Sequence, residues 1–175
     1  MDIQIRPARA TDCTLVAESL REFDNDERKT RRKVQAQEAG QGILLIAWCN
    51  DLPVGRLWLR WAGSHEIPRI KKTHPIAATL GPCPSFGEIE VAPRLRGNGI
   101  GSQLIGYAEG VARQYGYPRV AITAAHDDRP RQLYERLGYT DPGIGVFHTS
   151  GTYVDEYGSK VQWNHGHQVI LVKEL

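Results

Sequence analysis

Three cysteines, one methionine and no long apolar run leave this 175-residue chain without several common signatures. Cys13, Cys49 and Cys83 stand apart, odd in number and with no CxxC pair, so neither a disulfide framework nor a cysteine-built zinc site is expected. The first residues, Met1, Asp2, Ile3, Gln4, Ile5 and Arg6, contain no apolar h-region, which predicts no secretory signal. No segment approaches the roughly 20 consecutive apolar residues of a membrane span. An excess of charge is missing as well: 22 basic and 20 acidic residues give a formal net charge of +2. That balance is too even to argue for a nucleic-acid or membrane partner, and neither is expected. Internal repeats and low-complexity segments are absent. What remains reads as one cytoplasmic domain over residues 1–175, long enough to bury about 70% of its unfolded surface.

Periodicity divides that domain into alternating elements. Residues 3–6 alternate like a strand and stop at Pro7. From Thr11, a good N-cap, Leu15, Val16, Ser19, Leu20 and Phe23 recur at helical spacing. A second helix is expected from about Asp26 to Ala39, closed by Gly40. Its Arg28, Lys29, Arg31, Arg32 and Lys33 read first as a solvated face, and second as a partner or acidic-substrate surface. Residues 43–48 and 54–61 flank Asn50, Asp51, Leu52 and Pro53 and predict a hairpin. Residues 63–85, rich in proline and glycine and without a clean period, are expected to form a substrate-side flap or a mobile insertion. A strand at 86–91 ends at Ala92 and Pro93. Leu104, Ile105, Ala108, Val111, Ala112 and Tyr115 then mark the buried stripe of a long helix ending near Gly116. Another strand covers 119–125, and Pro130 opens a helix that runs to Leu137 and Gly138. The tail predicts two strands, 146–153 and 161–172, joined by Asp155, Glu156, Tyr157 and Gly158. This order is that of an α/β domain with a mixed sheet. His126, His148, His165 and His167 lack further ligands at metal spacing, so His165, Gly166 and His167 are expected to form a surface turn and no metal is expected.

The segment with the most chemistry lies between the fourth strand and the long helix. Gly97, Gly99 and Gly101 remove the Cβ atoms that would keep an anion from the main chain, and a helix N-terminus follows at once. Such an arrangement suits a pyrophosphate. The Walker pattern requires a lysine after the glycines, and none is present. The Rossmann pattern requires G-x-G-x-x-G, whereas the spacing here is G-x-G-x-G. The pattern that remains is R-x-x-G-x-G, met by Arg96, Gly99 and Gly101. Glu88 and Glu90 lie two residues apart on the strand leading into this loop, hence on one face.

With V-x-P-x-x-R-G-x-G-I-G from Val91 to Gly101, and Leu133, Tyr134, Glu135, Arg136, Leu137, Gly138 and Tyr139 about thirty residues later, the chain resembles the GNAT superfamily of acyl-CoA-dependent N-acyltransferases. The second run resembles that family's L-Y-x-x-x-G-[FY] signature, and the element order matches to about residue 140. The resemblance implies a mixed, mainly antiparallel sheet flanked by helices, with two central strands splayed around acetyl-CoA. It implies main-chain pairing of the pantetheine arm near Glu90, Val91 and Ala92. The pyrophosphate would lie on main-chain groups of Arg96, Gly97, Asn98, Gly99, Ile100, Gly101 and Ser102. It further implies Tyr134 as the acid for the departing thiolate and Val91 N–H as a polariser of the thioester oxygen. Asp127 stands where the family commonly has Asn, and Pro130 where it has Ala, so Asp127 reads either as a pantetheine contact or as a helix N-cap.

An alkyl amine with a pKa of about 10.4 is protonated at neutral pH, so transfer to it requires a base, or a water leading to one, for which Glu88 and Glu90 are the candidates. The expected reaction is acetylation of a primary amine, with a small cationic molecule favoured by the two glutamates. A protein N-terminus or lysine is the alternative acceptor, and a non-catalytic acyl-CoA-binding module is the alternative class. RNA binding through the basic helix is disfavoured for want of interleaved aromatics. The tail strands leave room for a homodimer.

Overall fold

Near-continuous apolar runs form the centre of the sheet because both of its faces are covered. The computed structural model describes residues 1–23, 26–63, 75–126, 129–154 and 158–175. Strand β2 (Gly42–Cys49) pairs antiparallel with β3 (Leu52–Arg60). Leu45, Ala47, Leu57 and Leu59 enter one core, and Leu44, Ile46, Trp48 and Trp58 enter another on the opposite face. Their turn is tighter than the four residues expected. Asn50 and Asp51 alone make it, with φ of 48° and 63°, the left-handed pair of a two-residue hairpin, and Leu52 and Pro53 already belong to β3.

Among the described residues, seven strands form one sheet in the order β1-β2-β3-β4-β5-β7-β6. The others are β1 (Gln4–Pro7), β4 (Ser85–Val91), β5 (Arg119–Ala125), β6 (Phe147–Val154) and β7 (Lys160–Glu174). Every neighbouring pair is antiparallel except β4 and β5, which are parallel. The mixed, mainly antiparallel sheet expected of the chain is therefore present.

Helices α4 (Ile100–Gln114) and α5 (Arg129–Arg136) lie on the face lined by Phe86 and Ile122. On the other face, α1 (Cys13–Ser19) and α2 (Glu27–Glu38) cover β2 and β3, with Val16, Leu20 and Val34 packed on Leu44, Ile46 and Trp58. The short helix α3 (Pro75–Thr79) brings Ala77, with Leu80 and Cys83 after it, over Ala121, Ile170 and Val172 of β5 and β7. Residues 75–85 thus cover core instead of forming a flap; the remainder of the expected flap, 64–74, lies outside the described residues. So do Asp127 and the tail-turn residues Asp155, Glu156 and Tyr157.

Several local expectations are corrected. Thr11 is not an N-cap: a 3₁₀ turn, Ala10–Asp12, precedes α1. The main-chain N–H of Arg9 donates to Asp12 Oδ2 at 2.7 Å, and the Arg6 guanidinium holds the same carboxylate at 2.7 and 3.0 Å. The buried stripe is Cys13, Val16, Ala17 and Leu20, while Leu15 is exposed. Tyr115 is exposed beyond the end of α4, where it stacks on Trp61. Glu109 takes an unexpected buried place on α4, accepting from Tyr139 Oη at 2.8 Å and from Lys173 Nζ at 2.8 and 2.9 Å. His165 and Gly166 sit at a register shift within the β6–β7 ladder, not in a surface turn.

Candidate active site

Among the described residues, the second face of β4 lies between the two covers, and Gly87 to Val91 are half-buried or exposed. Its ladder with β5 consists of Ser85 with Ala121 and Phe86 with Ile122, and it stops there. Beyond that point the two strands part, as the resemblance implied. On the other side, Ala92 N–H donates to Val54 O at 2.9 Å. Antiparallel rungs alternate, so Val54–Ala92 and Arg56–Glu90 are the bonded rungs and the main chain of Val91 turns toward the gap. Val91 N–H is thereby available there, while Val91 O accepts from Arg96 Nε at 3.1 Å. Ala92 departs from its expected role, because its N–H already belongs to the sheet and its carbonyl accepts from Leu95 N–H at 2.8 Å.

The chain then turns sharply into α4. Pro93–Leu95 form a 3₁₀ turn, and Arg96 N–H closes on Pro93 O at 3.3 Å. Asn98 Nδ2 donates to Leu95 O at 3.1 Å, which pins the bend. Gly97 and Gly99 have φ of 82° and 77°, values that glycine adopts without strain. A Cβ at either position would meet no atom within 4 Å, so the main chain faces open space. The first helical bond of α4 runs from Gln103 N–H to Gly99 O. The amide hydrogens of Ile100, Gly101 and Ser102 therefore have no carbonyl inside the helix. Open main chain, unpaired amides and the positive end of a 15-residue helix fit a diphosphate. Arg96 contributes differently from expectation: its N–H is engaged, and its side chain folds back onto Val91 and over the Phe23 ring, 5.7 Å away. Gly55 lets α4 approach β3, since a Cβ there would lie 3.3 Å from Leu104 Cδ1 and 2.9 Å from Glu90 O.

Glu88 and Glu90 do share a face, through a different geometry from simple alternation. A bulge separates the Arg56–Glu90 and Trp58–Gly87 rungs, and Glu88 in it has φ of 52°. The bulge re-aims Glu88 so that both carboxylates converge on Arg56. Arg56 Nε donates to Glu90 Oε2, and an Arg56 terminal nitrogen lies 3.3 Å from Glu88 Oε2. Lys33 Nζ of α2 lies 2.8 Å from the same Glu88 oxygen. Burial pushes the Glu90 carboxyl above the usual carboxylate range, against the pull of Arg56. The strand face expected to be acidic is thus neutralised by one arginine and one lysine.

Sequence reasoning missed both of these cations. Arg56 interrupts an otherwise apolar strand, which is the signal of a buried charge with partners. Lys33 gave none beyond its place in a basic run, of which Arg28, Arg31 and Arg32 do remain exposed.

Tyr134 is buried on α5 in the core shared by Phe86 and Ile122, its ring edge-on to Tyr139 at 6.4 Å. It therefore lies on the opposite face from Glu88 and Glu90, with the β4–β5 gap between. Among the described residues no group of three or more His, Cys, Asp and Glu side chains is placed to hold a metal, and no helix is long and apolar enough to cross a membrane.

Comparison with known proteins places these features in a family. Residues 13–139 match the model of the acetyltransferase (GNAT) family. No curated protein sequence matches the chain. Among solved structures, a GNAT-family acetyltransferase from Streptococcus pneumoniae is 18% identical, with a TM-score of 0.68 and 99% of each chain covered. The PaiA N-acetyltransferase of Thermoplasma acidophilum, solved with coenzyme A, is 12% identical over all of both chains, with a TM-score of 0.66. YncA, a putative acetyltransferase from Salmonella typhimurium solved with acetyl-CoA, is 16% identical over all of this chain and 95% of its own, with a TM-score of 0.65.

Proposed function

Because this chain belongs to the acetyltransferase (GNAT) family, whose acetyl donor is acetyl-CoA, we propose that it acetylates a primary amine by direct attack in a ternary complex. The observation that carries this reading is the arrangement around the gap: a buried phenol on one face, and on the other a pair of carboxylates organised by a buried arginine. When bound, acetyl-CoA supplies an activated thioester.

The chain's own groups supply the rest. Main-chain amides of Gly97, Asn98, Gly99, Ile100, Gly101 and Ser102 would hold the diphosphate, and Val91 N–H, which faces the gap, would polarise the thioester oxygen. Glu90, with its raised affinity for protons, would take the proton of the incoming ammonium. As the C–N bond forms and the C–S bond breaks, the Tyr134 hydroxyl would give its proton to the sulfur and recover one, through solvent, from the second proton the nitrogen loses. Glu88, more exposed and doubly paired, is better placed to hold the ammonium than to deprotonate it. The acceptor, which we take to be a small molecule, would approach over the second face of β4, beside Glu88 and Glu90.

Thiol release from acetyl-CoA with a panel of primary alkylamines tests the reaction. Wild type is expected to release CoA in proportion to amine. Tyr134→Phe is expected to lose about 10²-fold in kcat, the lower range for a positioned acid, with CoA affinity by calorimetry preserved. Equal CoA binding without release in wild type would make the chain a non-catalytic acyl-CoA-binding module, and absence of CoA binding would remove the assignment altogether.

A further inference from the structure

Lys33 is an alkylammonium resting on a carboxylate at the half-exposed second face of β4, where the proposed reaction puts the acceptor. Its Nζ lies 2.8 Å from Glu88 Oε2, and it comes from α2, the helix that covers the neighbouring part of the same face. Glu88 stays half open beside it, with 41% of its side chain exposed, whereas Arg56 is 4% exposed. Arg56 holds Glu88 from below and Glu90 through a separate nitrogen. Removal of Lys33 would leave Glu88 anchored in its bulge, with one contact vacated on its open side. The backbone supports that fixed placement, since a glutamate at a φ of 52° persists only where its surroundings hold it.

Charge gives the same result. Glu88 and Glu90 against Arg56 and Lys33 sum to zero. Withdrawal of Lys33 alone leaves one net negative charge at this face, which one ammonium restores. We infer that Lys33 is a resident surrogate for the acceptor: a primary alkylammonium binds by displacing Lys33 from Glu88. The acceptor class follows from the surrogate. It is an unbranched, singly charged primary alkylammonium at the bound end, as the lysine side chain is. The inference deepens the proposed acetyl transfer and rests on the acceptor entering by this face.

Displacement makes Lys33 a competitor, so its removal tightens binding. The test titrates n-butylammonium into CoA-loaded protein and follows amide shifts by NMR, for wild type, Lys33→Met, Lys33→Arg and the double variant Lys33→Met/Glu88→Gln. Lys33→Met is expected to bind about two- to fivefold more tightly, the range a partly exposed ion pair supplies. Lys33→Arg, which keeps a cation on Glu88, is expected to stay near wild type, and the double variant to lose the gain. CoA affinity by calorimetry is expected to be equal in all four, which also reports that each is folded. Equal or weaker binding by Lys33→Met, or a gain that survives Glu88→Gln, overturns the exchange. The readout requires no turnover, so failure of thiol release would overturn the proposed reaction separately from this result.

Discussion

Glu90 carries an expectation that the pH axis can read. Burial is the main reason its carboxyl holds its proton above the ordinary range, and Arg56 opposes that shift. A base must be deprotonated to act, so the acid limb of kcat/KM is expected at a higher pH than an unperturbed carboxylate would give. Glu90→Gln is expected to abolish that limb and lower kcat/KM by about 10²-fold; a limb left unmoved in the variant would transfer the role to another group. The sign for stability follows from the same direction. A carboxyl with a raised folded value stabilises the fold at pH below the unfolded value. That contribution is lost as pH rises through the raised value. At this scale the sequence was half legible. Alternation predicted that the two glutamates share a face, yet their partners Arg56 and Lys33 come from β3 and α2, 34 and 55 positions from Glu90 and Glu88 by residue number. No local pattern encodes a pairing of that range.

The loop-to-helix element was the most legible, because its requirements are local. Left-handed backbone at Gly97 and Gly99 and a proline that stops the strand are properties of consecutive residues. Gly99→Ala separates conformation from crowding, since the added methyl meets nothing within 4 Å. The variant is expected to lose about 1 kcal/mol of stability through φ alone, read as a lower urea midpoint, and to bind CoA several-fold more weakly by calorimetry. Wild-type values for both would show that the bend tolerates a side chain and that the cradle is less demanding than its geometry indicates. Less legible elements were those whose ends depend on contacts. The first helix was expected as one run from Thr11 to Phe23, but a 3₁₀ turn at Ala10–Asp12, held by the Arg6–Asp12 pair and the Arg9–Asp12 hydrogen bond, precedes it, and a second 3₁₀ turn at Arg21–Phe23 follows its end at Ser19. The apolar choice fell on Leu15, which helical spacing allowed and the sheet left outside.

Across the whole molecule, the strands part at the gap while the elements flanking it are tied together elsewhere. Glu109 of α4 accepts from Tyr139, which follows α5, and from Lys173 of β7. Burial, together with this hydrogen bond to Glu109, pushes the Tyr139 phenol far above its usual range, so it remains a donor at all working pH. Tyr139 in turn is the edge partner of Tyr134. Glu109→Gln is expected to lower stability by about 2 kcal/mol, because it leaves Lys173 without its carboxylate. It should lower kcat through the displaced Tyr134 ring while the affinity for CoA is retained. An unchanged urea midpoint would show that the three groups are independent of the fold's stability.

The sequence by itself determined the α/β order, the glycine bend and the kinship it carries, because period, turn chemistry and helix ends act over a few neighbouring residues. Only the tertiary structure decided where β4 and β5 part, after two rungs, although the parting itself was expected from the resemblance. It also decided that a bulge turns Glu88 onto Arg56, and that Lys33 leaves a solvated helix face to cover it. Burial and ion pairing at these places arise between segments distant in sequence, where the free energy depends on which surfaces meet.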